Sequence, residues 1–236
     1  MNARSTFAAV ALAALAGLAL AASAPLAGPA TFGGDPYPLD TCPVSGEKLG
    51  KDAEVVVLEG MKDKLLDGTQ VKFCCGKCAA KFKAEPEKYV GKMNDAIAKS
   101  APAYPLKTCL VMSDDEIDAD AKTFVWQNRV YKFCCGKCIA KFKADPAKFA
   151  KEYEAKVVAA QKPGYKATTC PISGKPLGDG AVDVVVNGQL VRTCCGGCVG
   201  AVKADPAAAI AKVSADRKST RLNSSHEWIS RMPSSA

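Results

Sequence analysis

Apolar residues in this chain gather in three pairs of short β-branched or aromatic runs, and each pair leads into two adjacent cysteines. The clearest is "VDVVVNGQLVRTCC" at 182–195, where Asn187-Gly188 separates the two runs. Short runs of this type flanking Asn-Gly predict two strands joined by a two-residue hairpin turn. "TFVWQNRVYKFCC" at 123–135 has the same form, with Gln127-Asn128 in the turn. "EVVVLEGMKDKLLDGTQVKFCC" at 54–75 has a longer polar arm in its middle, which predicts an extended or irregular hairpin. After each cysteine pair the pattern becomes helical for a short stretch and then reaches Glu-Pro or Asp-Pro. Proline is favoured in the first turn of a helix, so Pro86, Pro146 and Pro206 are expected to open a second helix in each case.

The three stretches belong to an internal repeat. "TCPVSGEKLG" at 41, "TCLVMSDDEI" at 108 and "TCPISGKPLG" at 169 each precede one hairpin, and "KSAPAYPLK" and "AQKPGYKAT" connect the copies. Pro-containing connectors of this length are typical of module boundaries. Units are therefore expected at 40–99, 107–160 and 168–214. The predicted fold class is α+β: three small tandem units, each with a cysteine-containing turn, a β-hairpin and one or two short helices, treble-clef-like in plan. Phe82 with Tyr89, and Phe142 with Phe149, fall on helical faces where they can seal a core. In the third unit the corresponding positions hold Val202 and Ala209, and Thr193 replaces Phe73 and Phe133. Losing that aromatic area predicts the least stable unit.

Both ends of the chain differ from this pattern. Residues 1–24 carry Arg4 and then an alanine- and leucine-rich run ending in small residues, the anatomy of a secretory signal peptide. The expected location is periplasmic or secreted. An uncleaved N-terminal anchor helix is the alternative, and it also puts the repeats outside the cytosol. Residues 216–236 begin "DRKSTRLNSSH", which resembles a translated sequencing-library adapter, and the stretch is read as a non-native tail. It contains the only histidine, His226.

The formal charge of the whole chain is +8. Without Arg4, Arg217, Lys218, Arg221, Arg231, Asp216 and Glu227 it becomes +5, nearly all from lysine. With no arginine cluster or aromatic platform, nucleic acid is not an expected partner.

All 12 cysteines fall into the repeats, one early and three late in each. The sets are Cys42, Cys74, Cys75 and Cys78; Cys109, Cys134, Cys135 and Cys138; and Cys170, Cys194, Cys195 and Cys198. Thiolates are soft ligands that suit zinc or copper(I), and the late cysteines sit at an expected helix start, where the helix dipole favours negative charge. Lys77, Lys81, Lys137 and Lys141 can offset the charge of a multi-thiolate site. The compartment supports a rival reading, because small exported domains with even cysteine counts usually form disulfides. A third reading is redox cycling of a CxxC such as Cys75–Cys78.

The pattern "KFCCGKCAAKFKAEPEKY" is similar to the YHS domain, one of the TRASH-like group of treble-clef metal-binding modules. Phe73, Cys74, Cys78, Phe82, Pro86 and Tyr89 occupy its signature positions, as do Phe133, Cys134, Cys138, Phe142, Pro146 and Phe149. Cys75 and Cys135 stand where the family usually has serine. The family's opening "DPVCGM" appears here as "CPVSG", with Cys42 three places early and Ser45 at the expected cysteine. The resemblance is strong for two units and weak for the third. It implies heavy-metal binding, often copper or zinc, in sensing, transport or resistance.

The expected function is that of an exported heavy-metal-binding protein acting as buffer, carrier or resistance factor, with an envelope or metal-transport protein as a further partner. Alternatives are a disulfide-stapled envelope module and a thiol oxidoreductase. No nucleophile triad, phosphate-cradling loop or paired carboxylates can be read from the chain, so the expectation is that it is not an enzyme.

Overall fold

The computed structural model describes residues 32–215, so the expected leader and the adapter-like tail lie outside the described residues. The chain mixes α and β structure as three successive units. In the first, strands β1 (Glu54–Val57) and β2 (Gln70–Phe73) pair antiparallel, and helices α1 (Gly76–Ala84) and α2 (Glu87–Ser100) follow. In the second, β3 (Lys122–Trp126) and β4 (Arg129–Phe133) are followed by α3 (Gly136–Ala144) and α4 (Pro146–Gln161). In the third, β5 (Val182–Val186) and β6 (Gln189–Thr193) are followed by α5 (Gly197–Ala204) and a helix over 206–215, α6. Among the described residues, no helix is long and apolar enough to cross a membrane.

Local chemistry accounts for the boundaries. Asn187 and Gly188 both have positive φ, 49° and 72°, the mirror-image turn that matches strand twist. Gln127 and Asn128 make the same turn without glycine, at 47° and 61°. The long arm of the first hairpin contains one 3-10 turn, Lys64–Leu66, whose first free N–H groups are met by the Asp63 carboxylate at Leu65 N, 3.0 Å. Pro86 caps α2, and Pro146 is the first residue of α4, where a missing N–H costs nothing.

Each unit has its own apolar centre. Phe73 packs edge-on to Phe82 at 5.4 Å, and Tyr89 stacks on Phe82 at 6.0 Å. Phe133, Phe142 and Phe149 repeat that arrangement at 5.4 and 5.9 Å. The third centre is built from Val184, Val186, Val191, Val202 and Ala209, with the buried Thr193 donating its hydroxyl to Val182 O and Cys195 O. Thr193 is thus polar yet satisfied, but the third centre has no aromatic ring.

The units interlock. Val125 of β3 is buried in the first centre, and its repeat equivalent, Val185 of β5, is buried in the second. Helix α2 packs on β3, and α4 packs on β5 and β6. At the second hairpin tip, Asn128 Nδ2 donates to Gln70 O (2.7 Å) and Asp35 O (3.1 Å), and Gln127 Nε2 donates to Asp67 O (3.0 Å). At the third tip, Gln161 of α4 donates to Gly188 O (2.9 Å) and accepts from Leu190 N (2.8 Å). The connectors share in this packing. Tyr104 lies 6.0 Å from Tyr153, and the Tyr165 hydroxyl accepts from Arg192 N at 3.1 Å. The units form a stack in which the second and third hairpins each reach back into the unit before.

Candidate metal centres

The early cysteine of each unit sits in a tight loop. Cys42 N donates to Glu47 O (2.8 Å) and Gly46 N to Cys42 O (2.9 Å), a reversal that needs the positive φ of Gly46, 75°. Cys170, Lys175 and Gly174 repeat it at 2.8 and 2.9 Å. In the second unit one extra residue enlarges the loop, and Cys109 N reaches Asp115 O at 2.7 Å. The loop is pinned by a single bridge to its own return strand: Thr41 with Lys48, Thr108 with Glu116, Thr169 with Pro176.

The late cysteines arrive along the second strand of each hairpin. Cys74 and Cys78 lie four residues apart across the strand-to-helix junction, with their sulfurs 3.6 Å apart. Cys134 and Cys138 are also at 3.6 Å, and Cys194 and Cys198 at 3.9 Å. With the early cysteine they form three triads, Cys42–Cys74–Cys78, Cys109–Cys134–Cys138 and Cys170–Cys194–Cys198, each with all sulfurs within 4.8 Å of one another. Metal–thiolate bonds of about 2.3 Å place sulfurs sharing one ion about 3.8–4.0 Å apart, so these spacings fit a common ion. Among the described residues, three cysteine clusters could hold a metal ion.

The remaining cysteine of each set stands beside its triad without joining it. Cys75 is extended (φ −165°, ψ 164°) at the start of α1, and successive side chains of extended backbone point to opposite sides. Cys74 therefore turns inward and Cys75 outward. Cys75 Sγ is 3.9 Å from Cys74 Sγ, Cys135 Sγ is 3.7 Å from Cys138 Sγ, and Cys195 Sγ is 3.8 and 3.9 Å from Cys194 and Cys198. All twelve cysteines are free, and the disulfide pairing weighed from the sequence does not form. Three sulfurs converge in each triad, and none of them is paired off.

Ordered donors surround the early sulfur. Burial pushes the Cys42 thiol up, but the N–H groups of Ser45 and Cys74, the Ser45 hydroxyl and the Val44 N–H outweigh burial and hold it at about 6. Cys170 is likewise held at about 6, with burial opposed by the Ser173 hydroxyl and the N–H groups of Ser173, Cys194 and Ile172. Cys109 is lowered in the same way, burial being outweighed by the N–H groups of Cys134, Met112 and Val111 and by the Cys134 side chain. Burial, together with neighbouring sulfurs, pushes Cys78 up to about 12 and Cys198 to about 12. Burial is also the largest influence on Cys138, which is raised to about 11. The early cysteine of each triad is thus the thiol shifted toward ionisation, and the cysteine on the first helix is the one shifted away from it.

Ser45 and Ser173 were not candidate site residues from spacing alone. Ser45 Oγ lies 3.4 Å from Cys74 Sγ, and Ser173 Oγ lies 3.2 Å from Cys194 Sγ. The shared "CPxSG" turn was the available signal. In the second unit that position is Met112, 45% exposed, and the Asp115 carboxylate instead approaches Cys134, raising its thiol ahead of burial. Lys77, Lys81, Lys137 and Lys141 are exposed on the first helix of their units. Compared with known proteins, the chain matches no protein-family profile, no curated protein and no solved structure.

Proposed function

We propose that this is an exported, non-enzymatic metal-binding protein in which each triad holds one thiophilic ion, copper(I) or zinc, as cargo for buffering, carriage or resistance. The observation that carries the reading is the threefold recurrence of a triad from the same three positions of the repeat, at spacings that suit one ion. Soft thiolates select copper(I) and zinc over harder cations. A three-sulfur set favours copper(I), since zinc in closed sites usually takes four ligands. If zinc is the cargo, the adjoining cysteine of each set supplies the fourth sulfur. Each unit is read as a treble-clef-like module of the YHS type. In support, Phe73, Phe82 and Tyr89 pack together, and Cys74 and Cys78 stand at the strand-to-helix junction. Export is read from the leader, and an envelope or transport protein is the natural partner for the cargo.

The test is metal analysis of the full-length protein, with thiols counted after denaturation. The expected result is one ion for each of the three triads and all twelve thiols free. Absence of metal together with paired thiols would overturn the reading in favour of a disulfide-stapled module.

A further inference from the structure

In the first and third sets the sulfurs form a gradient from solvent to interior, and in the second the two adjacent cysteines are equally half-buried above two buried ones. In the first unit Cys75 is exposed, Cys74 is half-buried, Cys78 is 9% exposed and Cys42 is 1% exposed. In the third, Cys195 is exposed, Cys194 and Cys198 are half-buried, and Cys170 is buried. In the second, Cys135 and Cys134 are half-buried, and Cys138 and Cys109 are buried. An ion arriving on a carrier cannot reach the early sulfur first. It meets the outward cysteine, which is 3.7–3.9 Å from the next sulfur in all three units. That distance is what two sulfurs bonded to one ion require.

Resting on the metal-binding reading above, we propose that Cys75, Cys135 and Cys195 are relay thiols, passing copper(I) between an external thiol-type carrier and the triads by ligand exchange. In the inward direction the Cys75 sulfur bonds the ion as one carrier–metal bond breaks, and the Cys75 proton moves to the departing carrier group. Cys74 then bonds the ion as a second carrier bond breaks, and the Cys74 proton moves to that second departing group. Cys78 and Cys42 follow, and the Cys75–metal bond breaks as Cys75 takes up the proton that Cys78 releases. The ion keeps its oxidation state throughout. Export from the triad is the same sequence reversed. The second unit differs in one step, because Cys135 hands over to Cys138 rather than to Cys134.

The role explains why a cysteine stands at each of these positions although the inward-facing triad is complete without it. A permanent fourth ligand would be expected to share the burial of the other three, which Cys75 and Cys195 do not. The exposed Cys75 and Cys195, and the half-buried Cys135, are also more open to a carrier's sulfur than the buried Cys42, Cys109 and Cys170.

The test is anaerobic stopped-flow transfer of copper(I) from its bicinchoninate complex to the full-length protein, comparing wild type with the combined Cys75→Ser, Cys135→Ser and Cys195→Ser variant. The relay role predicts unchanged capacity, affinity by competition within about threefold, and transfer slower by about tenfold. Equal transfer rates would overturn it. So would a loss of capacity or affinity, which would make these cysteines permanent ligands. Failure of the wild type itself to take up copper(I) would instead defeat the metal-site reading, a different result. Should the combined variant fold poorly, Cys75→Ser alone serves. It is expected to slow one of three kinetic phases, and three unaltered phases would overturn the proposal.

Discussion

Arg129, at the tip of the second hairpin, grips Asp35 from the segment ahead of the first unit with two parallel bonds, Nη2–Oδ1 at 2.9 Å and Nε–Oδ2 at 3.2 Å. Both side chains are buried, at 2% and 3% exposure. Two further donors of the guanidinium are used: Nη1 reaches Glu154 at 2.8 Å and Nη2 reaches Val185 O at 3.0 Å. One side chain therefore ties the segment ahead of the first unit to the second and third units, and β4 runs directly from it to Cys134 of the second triad.

Removing Arg129 leaves the Asp35 carboxylate without its ion-pair partner in the interior. Arg129→Leu is expected to cost about 3–5 kcal/mol, while replacing both partners by apolar residues costs less. Urea unfolding of the two single variants and the double variant measures the coupling. Additive effects would show that the pair does not lock the stack.

The third unit should open first. Where the other two centres have Phe73, Phe82 and Tyr89 or Phe133, Phe142 and Phe149, it has Thr193, Val202 and Ala209. Native-state hydrogen exchange is expected to show β5 and β6 opening at a free energy about 1–3 kcal/mol below β3 and β4. Equal protection would mean that docking on α4 makes good the missing rings.

Gly188 sits at φ +72°, and a Cβ there would come within 3.3 Å of Pro105 Cδ and 3.4 Å of the Tyr153 hydroxyl. Gly188→Ala is expected to destabilise the protein by about 1–2 kcal/mol. A thermal melt unchanged by the substitution would show that the third tip is not held closely against the second unit.

Asp183 lies between Lys162 Nζ and Arg192 Nε, each at 2.8 Å. Burial pushes its carboxyl up, but the bonds and charges of Lys162 and Arg192 outweigh burial and hold it below the usual carboxylate range. A carboxyl depressed by folding contributes stability that is present above its unfolded pKa and is lost as pH falls through its folded one. The contacts of β5 with α4 and β6 should therefore weaken below about pH 4. Asp183→Asn is expected to be less stable at neutral pH and to lose less on acidification. Parallel acid limbs for wild type and variant would contradict this.

Much of each unit could be read in the sequence because its determinants are local. Asn187-Gly188 and Gln127-Asn128 marked the turns, Pro86, Pro146 and Pro206 marked the second helices, and the cysteine spacing marked the sets. The split of each set into a triad and an outward thiol was also written locally, in the two-residue period of an extended strand at Cys74–Cys75, but spacing alone grouped all four. The interlocking of the units was not legible. It depends on Asp35, which lies outside the repeat and 94 positions from Arg129, and on Val125 and Val185, whose β-branched side chains suit either their own core or a neighbour's. Pro-containing connectors marked module boundaries, yet Tyr104 and Tyr165 within them are tied into the stack.

The most direct test of the central claim is native mass spectrometry of the full-length protein during anaerobic copper(I) titration, with Cys78→Ser alongside. The expected result is filling to one ion for each of the three triads in the wild type and to one fewer in Cys78→Ser. A wild type that retains no ion, or a Cys78→Ser variant that retains as many as the wild type, would contradict the account.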